Sequence, residues 1–204
     1  MIRSERRRPP AVISADGWAD GVARIASDNC DARPPDVPVD LLVIHNISLP
    51  PGQFGGDSVV RLFTNRLDCA AHPYFERLRG LRVSAHFLVR RNGAIVQCVS
   101  CNQRAWHAGA SSFRGRARCN DFSIGVEVEG SDTAPYAAAQ YVALLELTLA
   151  LERRYPLAAV AGHEHIAPGR KTDPGPCFDW GAYRQAYRAA RGGDEGRKGL
   201  EFPS

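Results

Sequence analysis

The run Leu41-Leu42-Val43-Ile44, entered from Asp40 and leaving into His45-Asn46, does most to narrow the fold. A strand with one wet face alternates polar and apolar residues, whereas four aliphatic side chains in succession predict a strand covered on both faces. Such strands belong to sheets that carry helices on each side. The run then stops in polar residues and a turn-like Pro50-Pro51-Gly52. A histidine at the end of a buried strand is held by the core yet reaches its surface, which makes His45 a site candidate.

Other stretches supply the rest of an α/β domain. Residues 83–90 and 94–99 flank Asn92-Gly93, which predicts a hairpin closed by a type I′ turn. Residues 122–130 alternate, with Ile124, Val126 and Val128 on one face and Gly125, Glu127 and Glu129 on the other. Both glutamates are therefore expected to face away from the core. A short helical stretch falls near residues 59–67. A longer one starts at Thr133, ahead of Pro135, and carries Tyr141, Leu144, Leu145, Thr148 and Tyr155 at helical spacing up to Pro156. Asp179 is placed to cap a last helix whose Trp180, Tyr183 and Tyr187 stripe reads as core, ended by Gly192-Gly193.

A chain of 204 residues, 44% hydrophobic, can bury one good core and is short for two. The expected organisation is an extended arm packed on the domain over residues 1–38, one catalytic domain over 39–192, and a disordered polar tail over 193–204. Twenty-six basic against 22 acidic residues, a net charge of +4, favour small anionic ligands without demanding nucleic acid. The clusters Arg6-Arg7-Arg8 and 114–118 lack the aromatic interleaving of a nucleic-acid surface. No apolar stretch has the length of a secretory core or a membrane span, so a cytoplasmic protein without a membrane partner is expected. Cysteines 30, 69, 98, 101, 119 and 177 would form a disulfide framework only after export, and free thiols are the expectation. Cys98-x-x-Cys101 stands alone, without the second pair that a structural zinc site needs.

The chemistry concentrates in Gly162-His163-Glu164-His165-Ile166-Ala167-Pro168-Gly169-Arg170-Lys171-Thr172-Asp173-Pro174-Gly175-Pro176. This is not an H-E-x-x-H helix, because Ala167 stands where the second histidine would be, and the prolines predict a loop. A metal site here must recruit a distant ligand, and His45 supplies one. Two imidazoles and a carboxylate around an open position form a catalytic zinc arrangement. Residue types alone do not choose between His163 and His165.

Five stretches carry a resemblance: 41–52, Arg82-Val83-Ser84-Ala85-His86-Phe87, Arg104-Ala105-Trp106-His107-Ala108-Gly109, Cys119-Asn120-Asp121-Phe122-Ser123-Ile124-Gly125, and 170–176. With them the chain resembles the AmpD subgroup of the zinc amidases, a family that includes the peptidoglycan recognition proteins and T7-type lysozyme. The resemblance implies an α/β (α+β) domain with a central mixed sheet flanked by helices and a zinc groove at one edge. It implies one zinc ion per chain on His45, His163 and Asp173, leaving His165 aside. Glu127 becomes the general base and Lys171 the stabiliser of the oxyanion, while Asn46, Arg82, Trp106 and Arg118 match positions that line the substrate groove. The implied reaction is hydrolysis of the amide between (1,6-anhydro-)N-acetylmuramic acid and L-alanine in anhydromuropeptides, within cytoplasmic peptidoglycan recycling. His86 and His107 are read as hydrogen-bonded structure, and nothing sets the oligomeric state.

Three rivals remain at this level. A recognition module without zinc is disfavoured by the full set His45, His163, Asp173, Glu127 and Lys171. A cysteine amidase lacks a nucleophile motif. Nucleic-acid binding lacks a module.

Overall fold

The computed structural model describes residues 12–192 and 198–203. Ten strands occur among them: β1 (Ala23–Arg24), β2 (Cys30–Ala32), β3 (Leu41–Ile47), β4 (Phe87–Val89), β5 (Ile95–Gln97), β6 (Gln103–Ala105), β7 (Ser112–Phe113), β8 (Arg116–Ala117), β9 (Ser123–Glu129) and β10 (Ala159–Gly162). The helices are α1 (Ser58–Phe63), α2 (Ala138–Arg154), the single turn α3 (His163–Ile166) and α4 (Trp180–Arg191). Six strands form one mixed sheet in the order β1-β5-β4-β9-β3-β10. β4, β9, β3 and β10 run parallel, and β5 returns antiparallel on β4.

Both faces of this sheet are covered, as the run 41–44 requires. On one side Leu42, Ile44, Ile124, Val126 and Val128 meet Leu144, Leu147 and Leu151 of α2 and Tyr183 and Tyr187 of α4. On the other, Leu88 and Val96 pack with Val59, Val60, Leu62 and Phe63 of α1, and Leu41 and Val43 with Ala108 and Phe122. Leu147 and Leu151 are fully buried, and truncating either to alanine would cost about 2–5 kcal/mol. Asp179 caps α4, its side chain accepting from the Ala182 N–H at 2.8 Å.

Several expectations need correction. The hairpin turn is not type I′: Gly93 has φ of 81° but Asn92 has no positive φ, and the Gly93 N–H donates to the Arg90 carbonyl. Asn92 contributes through its side chain instead, accepting from the Ala94 N–H. The long helix begins at Ala138, beyond Pro135, and not at Thr133. The loop after Gly162 opens with the one helical turn of α3 before its prolines stop it. Glu129 does not share an open face with Glu127. It is 2% exposed and accepts from the backbone N–H groups of Gly55 and Arg91, tying two loops to the sheet.

The tail is ordered over residues 198–203. Glu201 pairs beside Ala159, the Val160 N–H donating to its carbonyl, and Leu200 is buried, so the tail covers the β10 edge. Residues 193–197 and 204 lie outside the described residues, as do residues 1–11 with Arg6-Arg7-Arg8. Over 12–38 the chain adds β1 to the sheet, pairs β2 with β6, and sets the half-buried Arg33 against the carbonyls of Cys101, Asn120, Asp121 and Ser123. No helix among the described residues is long and apolar enough to cross a membrane.

Candidate active site

The parallel strands bring the chemistry to their carboxyl ends. In β3 and β9 His45 is the register partner of Glu127, and Ile44 is the partner of Gly162, so His163 follows β10 directly beside His45. This is where an open parallel sheet usually holds its ligands. Asp173 comes in on the following loop, whose Asp173 carbonyl accepts from the Glu164 N–H at 2.9 Å.

His45 Nδ1 lies 2.9 Å from His163 Nδ1, and each lies 3.1 Å from Asp173 Oδ2. The far nitrogens have other partners: His163 Nε2 is 3.1 Å from the Ala108 carbonyl, and His45 Nε2 is 2.9 Å from His107 Nδ1. Burial lowers the His45 pKa to about 4, helped by the neighbouring His163, so this ring is neutral at pH 7. Three lone-pair atoms so close together repel unless a cation sits among them. Two buried imidazoles and a half-buried carboxylate therefore fit a metal ion, with nitrogen and oxygen donors of the kind zinc accepts. His165 takes no part, since its Nδ1 accepts from the Gly162 N–H and its ring lies against Trp180.

Glu127 Oε2 is buried without a hydrogen-bond partner among the described residues. Burial, and after it the Asp173 carboxylate, push the Glu127 pKa well above the ordinary glutamate value, while the Lys171 charge opposes the rise. Lys171 is itself exposed at the rim. Asn46, Trp106, Glu127, Lys171, His163 and Asp173 all line a groove of about 690 Å³. Asn46 donates to Asp132 Oδ1 at 2.8 Å and to the Pro174 carbonyl at 3.1 Å, so Asp132, which the sequence did not single out, belongs to the same wall. Tyr74 lies on the wall too.

Two arginines stand elsewhere. Arg82 is exposed and borders a smaller hollow next to the groove, sharing Leu62, Leu78 and Leu81 with it. Arg118 does not line the groove: it is exposed and paired with Asp121 at 3.1 Å. Its neighbours Arg114 and Arg116 are likewise paired, with Glu201 and Asp40. His86 is hydrogen-bonded within the fold, its Nδ1 accepting from the Gly125 N–H at 3.0 Å. His72 accepts from the Tyr74 N–H.

Three converging ligand atoms near a raised carboxylate, in a groove at the strand ends, are the arrangement of a metal-dependent hydrolase. Comparison with known sequences makes the class particular. The N-acetylmuramoyl-L-alanine amidase profile matches residues 35–176, and the chain belongs to that family. It is 56% identical over 171 residues to the 1,6-anhydro-N-acetylmuramyl-L-alanine amidase AmpD of Citrobacter freundii, covering 83% of this chain and 91% of that one. The crystal structure of a selenomethionine AmpD derivative superposes with a TM-score of 0.83 at 55% identity, over 85% of this chain and 98% of that one. More distant is AmiD of Escherichia coli, solved with the substrate anhydro-N-acetylmuramic acid-L-Ala-D-γ-Glu-L-Lys. It has 30% identity and a TM-score of 0.54, over 87% of this chain and 66% of that one.

Proposed function

We propose that this chain hydrolyses the amide between 1,6-anhydro-N-acetylmuramic acid and L-alanine in anhydromuropeptides, with one zinc ion per chain on His45, His163 and Asp173. The observation that carries the reading is the convergence of those three ligand atoms on the strand end that carries Glu127, whose buried Oε2 has no hydrogen-bond partner among the described residues. A zinc ion held there would supply Lewis acidity, lowering the pKa of water and polarising a carbonyl.

The chain's own residues do the rest. Glu127 takes a proton from the attacking water at Oε2 and returns it to the leaving alanine nitrogen, and a carboxylate raised above its ordinary range suits both transfers. The Lys171 ammonium meets negative charge as it develops on the carbonyl oxygen. Asn46 and Trp106 contact the substrate from the groove wall, the indole stacking on sugar or stem peptide. Arg82, at the margin, pairs with a stem-peptide carboxylate. Arg118, paired with Asp121 outside the groove, is given no part.

The six cysteines are all free, which suits a reducing compartment and supports a cytoplasmic role in peptidoglycan recycling. The test is to incubate the protein with an anhydromuropeptide, with and without chelator, and weigh the products. Release of the intact stem peptide and free 1,6-anhydro-N-acetylmuramic acid, abolished by chelator and restored by zinc, is expected. Cleavage elsewhere, or cleavage indifferent to chelator, would overturn it.

A further inference from the structure

Two of the sequence motifs, 104–109 and 119–125, contribute no ligand and no proton carrier to the site. The structure gives them a shared occupation behind the metal ligands. His107 lies between His45 and Ser123: its Nδ1 is 2.9 Å from His45 Nε2 and its Nε2 is 3.2 Å from Ser123 Oγ. The Ser123 hydroxyl spends its one proton on the Cys119 carbonyl at 2.6 Å. Its oxygen is then an acceptor, which assigns the proton of a neutral His107 to Nε2. His107 Nδ1 is therefore bare and accepts from His45 Nε2–H. His45, neutral, is left with its lone pair on Nδ1, the atom that faces His163 and Asp173.

The other parts of both motifs hold His107 in place. Asn120 Oδ1 accepts from the backbone N–H groups of His107 and Ala108, at 3.2 and 2.8 Å. Because the Ala108 carbonyl in turn receives His163 Nε2, one loop of two residues backs both imidazole ligands. Gly125 makes room: a Cβ there would come within 2.6 Å of Cγ, Nδ1 and Cδ2 of the His107 ring. Any side chain at 125 would push the imidazole off the line between His45 and Ser123.

We propose that His107 is a positioning residue for the metal site, fixing His45 in the tautomer whose Nδ1 is free to bind, through a hydrogen-bond chain anchored at the Cys119 carbonyl. The proposal rests on His45 being a zinc ligand. Partners that orient a ligating imidazole are commonly carboxylates or carbonyls; here a second histidine takes that position, and loss of such a partner typically weakens metal binding about 10–100-fold.

The experiment measures zinc affinity by chelator competition for the wild type, His107→Phe, His107→Asn and Gly125→Ala, and reads the His45 protonation site by long-range ¹H–¹⁵N NMR of the metal-free wild type. Phenylalanine keeps a ring but accepts nothing, and asparagine can put its amide oxygen near the place of Nδ1. Expected are a His45 proton on Nε2, a loss of about 10–100-fold in His107→Phe and Gly125→Ala, and recovery of most of it in His107→Asn. A proton on His45 Nδ1 in the wild type, or His107→Phe affinity within about twofold of wild type, would overturn the proposal. Should His107→Phe fail to fold by circular dichroism, the wild-type spectrum and Gly125→Ala decide. His45→Ala separates the two readings. Undiminished affinity there overturns the metal site itself, whereas lost affinity there with unchanged affinity in His107→Phe overturns only the role of His107.

Discussion

His45 and Glu127 sit directly opposite one another in the parallel pairing of β3 with β9. The register that buries Leu42, Ile44, Ile124 and Val126 in one core thus also sets the histidine proposed as a ligand beside the carboxylate assigned to proton transfer. Slipping either strand by one residue would turn its functional side chain to the opposite face. Glu127→Gln is therefore expected to retain zinc and lose about 10²–10⁴ in kcat, the usual worth of a positioned acid–base group. Glu129→Gln should do something different. Its carboxylate accepts from Gly55 and Arg91 N–H groups, so replacing one oxygen with an amide nitrogen should destabilise the fold by about 1–3 kcal/mol with little change in turnover per folded molecule. Thermal melts and steady-state kinetics on both variants check this, and a large kcat loss in stable Glu129→Gln would reassign the base.

The Glu127 pKa also makes a prediction about stability in the metal-free protein. Burial raises the folded-state value above the unfolded one, so protonation favours the fold, and that contribution is present at low pH and lost as pH rises through the raised pKa. Glutamine imitates the protonated acid at every pH. Metal-free Glu127→Gln should match the wild type near pH 4 and exceed it at pH 8, by about 2–4 °C in Tm for each kcal/mol relieved. A gap that closes as pH rises would contradict the assigned direction.

What could be read beforehand follows from how locally each feature is encoded. Leu41–Ile47 was legible because a doubly buried strand writes its burial into consecutive residues. β10 was not, since Ala159-Val160-Ala161-Gly162 is four small residues whose strand form depends on pairing with β3. The burial of Glu129 was hidden for a related reason: alternation along β9 distinguishes two faces but not which loops cover them. In the candidate site, His45 stood out as the polar end of a buried strand, whereas the preference for His163 and the roles proposed for Asp173, Glu127 and Lys171 came from the family resemblance, because residue types could not separate His163 from His165. The hydrogen bond from Gly162 to His165 and the placement of His163 at the strand end make that distinction. His107 was read as hydrogen-bonded structure, as it is, but its place behind His45 had no local mark, its partners lying 62 residues upstream at His45 and 16 downstream at Ser123.

The cysteines should matter little to turnover. Burial pushes the Cys98 thiol up to about 11 and the Cys101 thiol to about 12, and Cys119 is buried and raised as well, so little thiolate exists at neutral pH. Of the partly exposed cysteines, Cys177 touches a groove-wall residue, its Sγ donating to the Asp132 carbonyl at 3.1 Å. Iodoacetamide at neutral pH is expected to leave most activity, and a chelator to remove it. Rapid loss on alkylation with zinc content unchanged would point to a thiol nucleophile.

Lys171 is exposed and two residues before Asp173, so a solvated lysine with no role in the reaction is a fair alternative to the oxyanion role. Two observations weigh against that alternative: Lys171 lines the groove, and its charge acts on both His45 and Glu127. The three possible roles separate in kinetics. If the ammonium meets negative charge only as the carbonyl oxygen acquires it, Lys171→Met should lower kcat by about 10²–10³ with zinc content and KM little changed, as for loss of one oxyanion donor. If it instead holds a substrate carboxylate, KM should rise while kcat is kept. A solvated lysine would change neither. The expected result is the first, measured on the metal-replete variant, and a kcat within about twofold of wild type, under about 0.5 kcal/mol, would be too small for a group that stabilises the transition state.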